Sequence, residues 1–126
     1  MDYKSLYESI MAIDPKIRFA TIFDINGDVI QSGHRGGVKN LLSPEESKKS
    51  LQQAIDAWKS RITFAKKIGK GKYVLAVYEK IKRITVPLDD EHLIYITAEV
   101  DADHEKIINK TLRLKHDMLH DPQGMP

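Results

Sequence analysis

The run Gly69-Lys70-Gly71-Lys72 invites reading as a phosphate-binding loop. Such a loop cradles phosphate oxygens with backbone N–H groups, and it needs Gly-x-x-x-x-Gly-Lys-Ser/Thr between a strand and a following helix. Here Tyr73 stands at the Ser/Thr position, and the run follows a predicted helix and precedes a predicted strand. A helix C-cap followed by a turn accounts for both glycines without a nucleotide. His116 and His120 lie four apart with Asp117 between them, which puts both imidazoles on one side of a helix. Zinc would require at least a third ligand and partners to orient the rings. A helix C-terminus favours histidine without any metal. No metal site is therefore predicted.

Asp89, Asp90 and Glu91 are consecutive carboxylates, but neighbours in a turn point apart, and they read as a solvated hairpin loop. His34-Arg35 sits among Gly33, Gly36 and Gly37, which allow close backbone approach, so it is a candidate ligand-contact loop or simply a flexible connection. Ser47 and Ser50 share a predicted helix, yet no His/Asp partner can be assigned to them by spacing. The chain has no cysteine, which removes disulfides, thiol nucleophiles and thiolate zinc sites. The sequence thus predicts no catalytic residue and no cofactor.

The elements that would hold such groups are legible. Its 126 residues fit one domain, expected over 1–120, with 121–126 as a disordered tail. No apolar run approaches the ~20 residues of a membrane span, and the start is polar from Asp2 onward, so the expected location is cytoplasmic. Tyr3, Leu6, Tyr7, Ile10 and Ile13 recur at helical spacing behind Asp2 as N-cap, and Asp14-Pro15 ends that helix. Ile17 to Asp24 alternates as a strand, with Ile17, Phe19, Thr21 and Phe23 on one face. Asn26-Gly27 predicts a type I′ hairpin turn into a return strand over 28–32.

Ser43-Pro44-Glu45-Glu46 combines a cap, a proline at the first helical position and a capping-box glutamate. The helix it starts is predicted to run to Ile68 and stop at Gly69, although Ile62-Thr63-Phe64 also suits a strand. Lys72 to Tyr78, Ile81 to Leu88 and Leu93 to Val100 form the densest β-branched and aromatic stretch, a three-stranded meander. A last helix is marked by Ile107, Ile108, Thr111, Leu112, Met118 and Leu119. The expected class is α+β, a five-stranded antiparallel sheet with helices packed on it in the order α-β-β-α-β-β-β-α.

Two surface features bear on function. Between Lys48 and Arg83 there are eleven basic and two acidic residues, so the rest of this +2 chain is net acidic. Lys59, Lys66, Lys67, Lys70 and Lys72 form a candidate patch for an anionic partner, or a solvated face and strand edge. The second feature is the middle helix. Leu51, Ile55, Trp58, Ile62 and Ala65 make the narrow stripe that a sheet-facing helix needs, while Ala54, Ala57, Phe64 and Ile68 widen it toward half the circumference. Phe64 left in water would forgo about 2 kcal/mol. A twofold dimer through Ala54, Ala57, Trp58, Phe64, Ile68 and Tyr73 would cover the excess, and so would the first helix of the same chain.

This order of elements resembles the roadblock/LC7 proteins of the profilin-like and longin-like group. The resemblance rests on Phe19 to Val29 with Asn26-Gly27, the Ser43-Pro44-Glu45-Glu46 start, and Leu93 to Val100 before the last helix. It implies a non-enzymatic scaffold that dimerises through its middle helix and third strand and binds small GTPases or other signalling proteins. It also implies no nucleotide site. The stretches 68–88 and 93–103 further resemble a small archaeal family, which implies no function. A PAS-like small-molecule sensor is near in topology, and it would need a cavity that Phe19, Phe23, Tyr73 and Tyr95 are expected to fill. A basic nucleic-acid binder using the five lysines is the third reading.

Overall fold

The computed structural model describes residues 2–120, so the tail expected over 121–126 lies outside the described residues. In chain order the elements are α1 (Tyr3–Met11), β1 (Ile17–Asp24), β2 (Val29–His34), α2 (Pro44–Ile62), α3 (Ala65–Ile68), β3 (Val74–Val77), β4 (Ile81–Pro87), β5 (His92–Glu99) and α4 (His104–His120). All strands pair antiparallel in one sheet of order β2-β1-β5-β4-β3, the α+β arrangement expected. β5 lies at the centre, and β2 and β3 form the edges. No helix among the described residues is long and apolar enough to cross a membrane.

Alternation along β5 divides the core. Ile94, Ile96 and Ala98 point to the face covered by α1 and α4, where Leu6, Ile10, Ile107 and Ile108 meet them. Leu93 and Tyr95 point the other way, toward Ile55 and Trp58 of α2. The first cluster holds fourteen buried residues and the second five, so the α2 face is much the thinner.

Local chemistry explains most boundaries. The Asp2 carboxylate accepts the Ser5 N–H at 3.0 Å and starts α1. At α2 the capping box is complete: Glu46 N–H donates to Ser43 Oγ at 3.2 Å, and Ser43 N–H donates to Glu46 Oε1 at 2.9 Å. Several expectations need correction. The β1–β2 turn is not type I′, because only Gly27 takes a positive φ (93°) and Asn26 does not. Gly27 N–H donates to the Asp24 carbonyl at 3.0 Å, and the Asp24 carboxylate accepts the backbone N–H groups of Asn26 and Asp28. That is a three-residue loop on an Asx turn, with glycine at its left-handed position. Ile17 does not share a face with Phe19 and Phe23. The β1–β5 register shifts between Ile17 and Phe19, which turns Ile17 into the cluster of Ala20 and Ile22.

The connection after β2 is also more fixed than its glycines suggest. β2 continues through Gly33 to His34, and a Cβ on Gly33 would collide with the Tyr7 hydroxyl. The middle helix is not continuous to Ile68. It ends at Ile62, and after Thr63 and Phe64 the single turn of α3 follows. Thr63 Oγ1 donates to the Ser60 carbonyl at 2.6 Å, the local side-chain bond by which threonine competes with helix propagation. The third strand is shorter than 72–78, because only Val74–Val77 pairs with β4.

Candidate functional site: the α2 face and the open β3 edge

The groups with the most obvious chemical potential are dispersed and mostly structural. Gly69 to Lys72 connects α3 to β3 on the surface, with no helix following, and Lys70 Nζ lies 3.4 Å from the Asp90 carboxylate. The His116 and His120 rings stack at 4.1 Å and are exposed. No cluster of three or more potential metal-binding side chains occurs among the described residues. Asp89 is half-buried rather than solvated, which corrects the loop expectation. Burial would raise its pKa, but the Glu91 N–H and the His92 ring, each at 2.8 Å, hold it below the usual value. Asp90 and Glu91 are exposed as expected.

Arg35 is not free to contact a ligand. Its guanidinium donates to the carbonyls of Ile17 and Met11 at 2.6 Å and of Asp14 at 3.0 Å, tying the end of α1 to the start of β1. His34, beside it, packs tilted against Phe19 with ring centroids 4.4 Å apart. Asp14 completes this corner. It accepts the Lys16 N–H at 2.8 Å and lies 3.2 Å from Lys106 Nζ of α4, and these bonds hold its carboxyl below the usual range.

The residues expected at a dimer seam sort into two groups. Trp58 is buried within the chain, against Ile55 and Leu93, and its ring edge lies under Gly71. Ala54 and Ala57 are half-buried beside it along a groove of about 150 Å³ between α2 and the β3–β4 ladder. Phe64, Ile68 and Tyr73 are 56, 83 and 47 % exposed. Val77 and Tyr78 at the end of β3 are also exposed, an addition that the strand pattern alone did not single out. α1 packs on the opposite face of the sheet from α2, so it does not cover the end of that helix; Val77, on the same strand face as Leu75, points to the α1/α4 side at the sheet edge. β3 is bonded to β4 on one side, and its other edge pairs with no described strand. Lys59, Lys66, Lys67, Lys70 and Lys72 are all exposed.

At the other end of α2 lies what sequence reasoning missed. Phe23 and Tyr95 are buried as expected and Phe19 is half-buried, but Tyr73 stands at the sheet edge and fills nothing. A cavity of about 350 Å³ remains between the sheet, the start of α2 and the 35–43 connection. Ser50 Oγ and the Tyr95 hydroxyl meet there at 2.8 Å. The one signal for it was Leu41-Leu42, an apolar pair placed before a helix cap where polar residues are usual.

No protein-family model matches the sequence, and no curated protein matches it. Solved structures do. A roadblock/LC7 domain from Streptomyces avermitilis aligns over 98 % of each chain, with a TM-score of 0.71 at 13 % identity. The gliding protein MglB from Thermus thermophilus aligns over 93 % of this chain and 85 % of its own, with a TM-score of 0.75 at 13 % identity. MglB from Myxococcus xanthus covers 99 % of this chain and all of its own, with a TM-score of 0.72 at 8 % identity. Identities this low carry the fold and nothing finer, and the fold of this chain is that of the roadblock/LC7 domains.

Proposed function

We propose that this chain is a non-catalytic interaction module that works as a homodimer, joined through the end of α2, α3 and the β3 edge. The observation that carries this reading is Phe64 and Ile68 exposed at the end of the helical segment, with Tyr73, Val77 and Tyr78 exposed along the neighbouring unpaired strand edge. Single exposed apolar residues are ordinary, but five of them gathered on one short stretch of chain and its strand edge suit an association surface. A strand edge left open is a ready template for another strand, and twofold pairing of β3 with its own copy closes it. Ala54 and Ala57 keep the α2 surface low enough for a partner to approach the groove floor, which Trp58 forms. One solved MglB structure is described as having a tetrameric arrangement, a related chain that self-associates on this fold.

The partner class that the roadblock resemblance implies is a small GTPase or another signalling protein. The five lysines, Lys59, Lys66, Lys67, Lys70 and Lys72, supply a cationic surface at the rim for an acidic partner. The absence of native cysteine gives a clean test. Single cysteines are introduced at Val77, on the proposed seam, and at Val29, also more than half exposed, on the opposite edge strand. Mild oxidation is expected to cross-link Val77→Cys and leave Val29→Cys monomeric on a non-reducing gel. Equal cross-linking at both positions, or none at Val77, would contradict the seam.

A further inference from the structure

The cavity beside the N-terminal half of α2 has the attributes of a small-molecule site. Its volume, about 350 Å³, lies within the range such sites occupy. Phe19 of β1, Leu51 of α2 and Val38 of the connection give it apolar walls. Leu41 and Leu42 border it while remaining 50 and 39 % exposed, which gives it an apolar rim. Deeper, Ser50 and Tyr95 are only 7 and 4 % exposed. Their hydroxyls need one hydrogen for the bond between them, and the second O–H has no acceptor among the described residues. Burial pushes the Tyr95 phenol above its usual pKa, so it remains a neutral donor.

The charge at this cavity has one sign. Arg18, Lys39 and Lys48 border it with His34, and no Asp or Glu does. Arg18 is already engaged, 2.7 Å from Glu99 and 2.7 Å from the Lys39 carbonyl. Lys39 and Lys48 have no carboxylate within ion-pair distance among the described residues. A ligand suited to these walls is apolar along its body and anionic at one end.

We infer that this cavity binds a small apolar carboxylate, with its hydrocarbon body against Phe19, Leu51 and the Leu41–Leu42 rim and its carboxylate toward Lys39 and Lys48. The site is independent of the dimer, which uses the other end of α2. Its ligand would hold the 35–43 connection against the sheet.

The test is a calorimetric titration of the whole chain with hexanoate, octanoate and decanoate below their micellar concentrations, and with decylammonium as the charge-reversed control. Saturable binding of one ligand per chain is expected, tightening about fourfold per added methylene. Decylammonium and the Lys39→Glu/Lys48→Glu variant with decanoate should each be weaker by about tenfold. Ser47→Phe, which fills the cavity from the exposed side of α2, should abolish binding while leaving the circular dichroism spectrum unchanged. If Ser47→Phe misfolds, the surface double variant still decides the matter. Absence of saturable binding by decanoate, equal affinity for decylammonium, or full retention of binding in the double lysine variant would overturn the inference.

Discussion

On one face of the sheet two helices, α1 and α4, bury Ile84, Val86, Ile94 and Ile96 completely, and α1 and α4 themselves meet there. On the other, α2 alone covers Phe23, Leu93 and Tyr95, and its last turn carries Ile62 half out into solvent. The same strands supply both faces, so strand composition does not explain the contrast. What differs is how many helices the chain places on each side. The face with two helices is a finished core, and the face with one retains a groove and a cavity, with Phe64 and Ile68 exposed beyond the end of α2. The open surface on this fold is what a second helix would otherwise have covered.

The largest expected effect lies on the finished face. Ile94→Ala removes a side chain with no exposure at the centre of the sheet, and urea unfolding should show a loss of about 3 kcal/mol. The equivalent truncation on the open face, Ile68→Ala, removes a side chain 83 % exposed and should change monomer stability by less than about 0.5 kcal/mol. If both cost the same, the contrast between the faces fails. Ser43→Ala tests the open face from its other end. Losing the capping box should cost about 1 kcal/mol and raise amide exchange in α2 before it rises in α4.

Acid should weaken a tie on each face. Asp14 joins α1 to Lys106 of α4, and its bonds lower its pKa from the ordinary 3.8. The native state therefore binds fewer protons than the unfolded state near that pH. The contribution is complete above 3.8 and is lost as the pH falls through the lower native value. Asp14→Asn should cost about 1 kcal/mol at neutral pH and flatten the acid limb of the stability profile. On the other face the Glu46 carboxylate of the capping box, held below its usual pKa by the Ser43 N–H, should weaken the start of α2 in the same direction as the pH falls.

Much of this was legible in the sequence because local rules act strongly where they were read. The Ser43 capping box, the Asp2 cap and the β-branched meander appear where spacing put them. What was not legible depends on pairing between distant segments. The register shift that turns Ile17 away from Phe19 is set by β5, some eighty positions later, and leaves no mark in the local alternation. Arg35 among glycines resembled a ligand loop, and only tertiary placement showed its guanidinium spent on three carbonyls. The cavity arises from absence, since Leu41 and Leu42, which border it, stay half exposed and do not fill it. Residue types announce what a segment prefers, and voids are decided by what fails to arrive.

The smallest expected effect on stability accompanies the largest on assembly. Phe64 is 56 % exposed in the single chain, so Phe64→Glu should unfold within about 0.5 kcal/mol of wild type. Mass by light scattering at micromolar concentration, in low and moderate salt, tests the account directly. The wild type should measure twice the 14.4 kDa of one chain, more completely at moderate salt, where repulsion among Lys66, Lys67, Lys70 and Lys72 is screened. Phe64→Glu should be folded and measure one chain in both. A wild-type mass of one chain in both salts, or an unfolded Phe64→Glu, would contradict the claim that this surface is an interface.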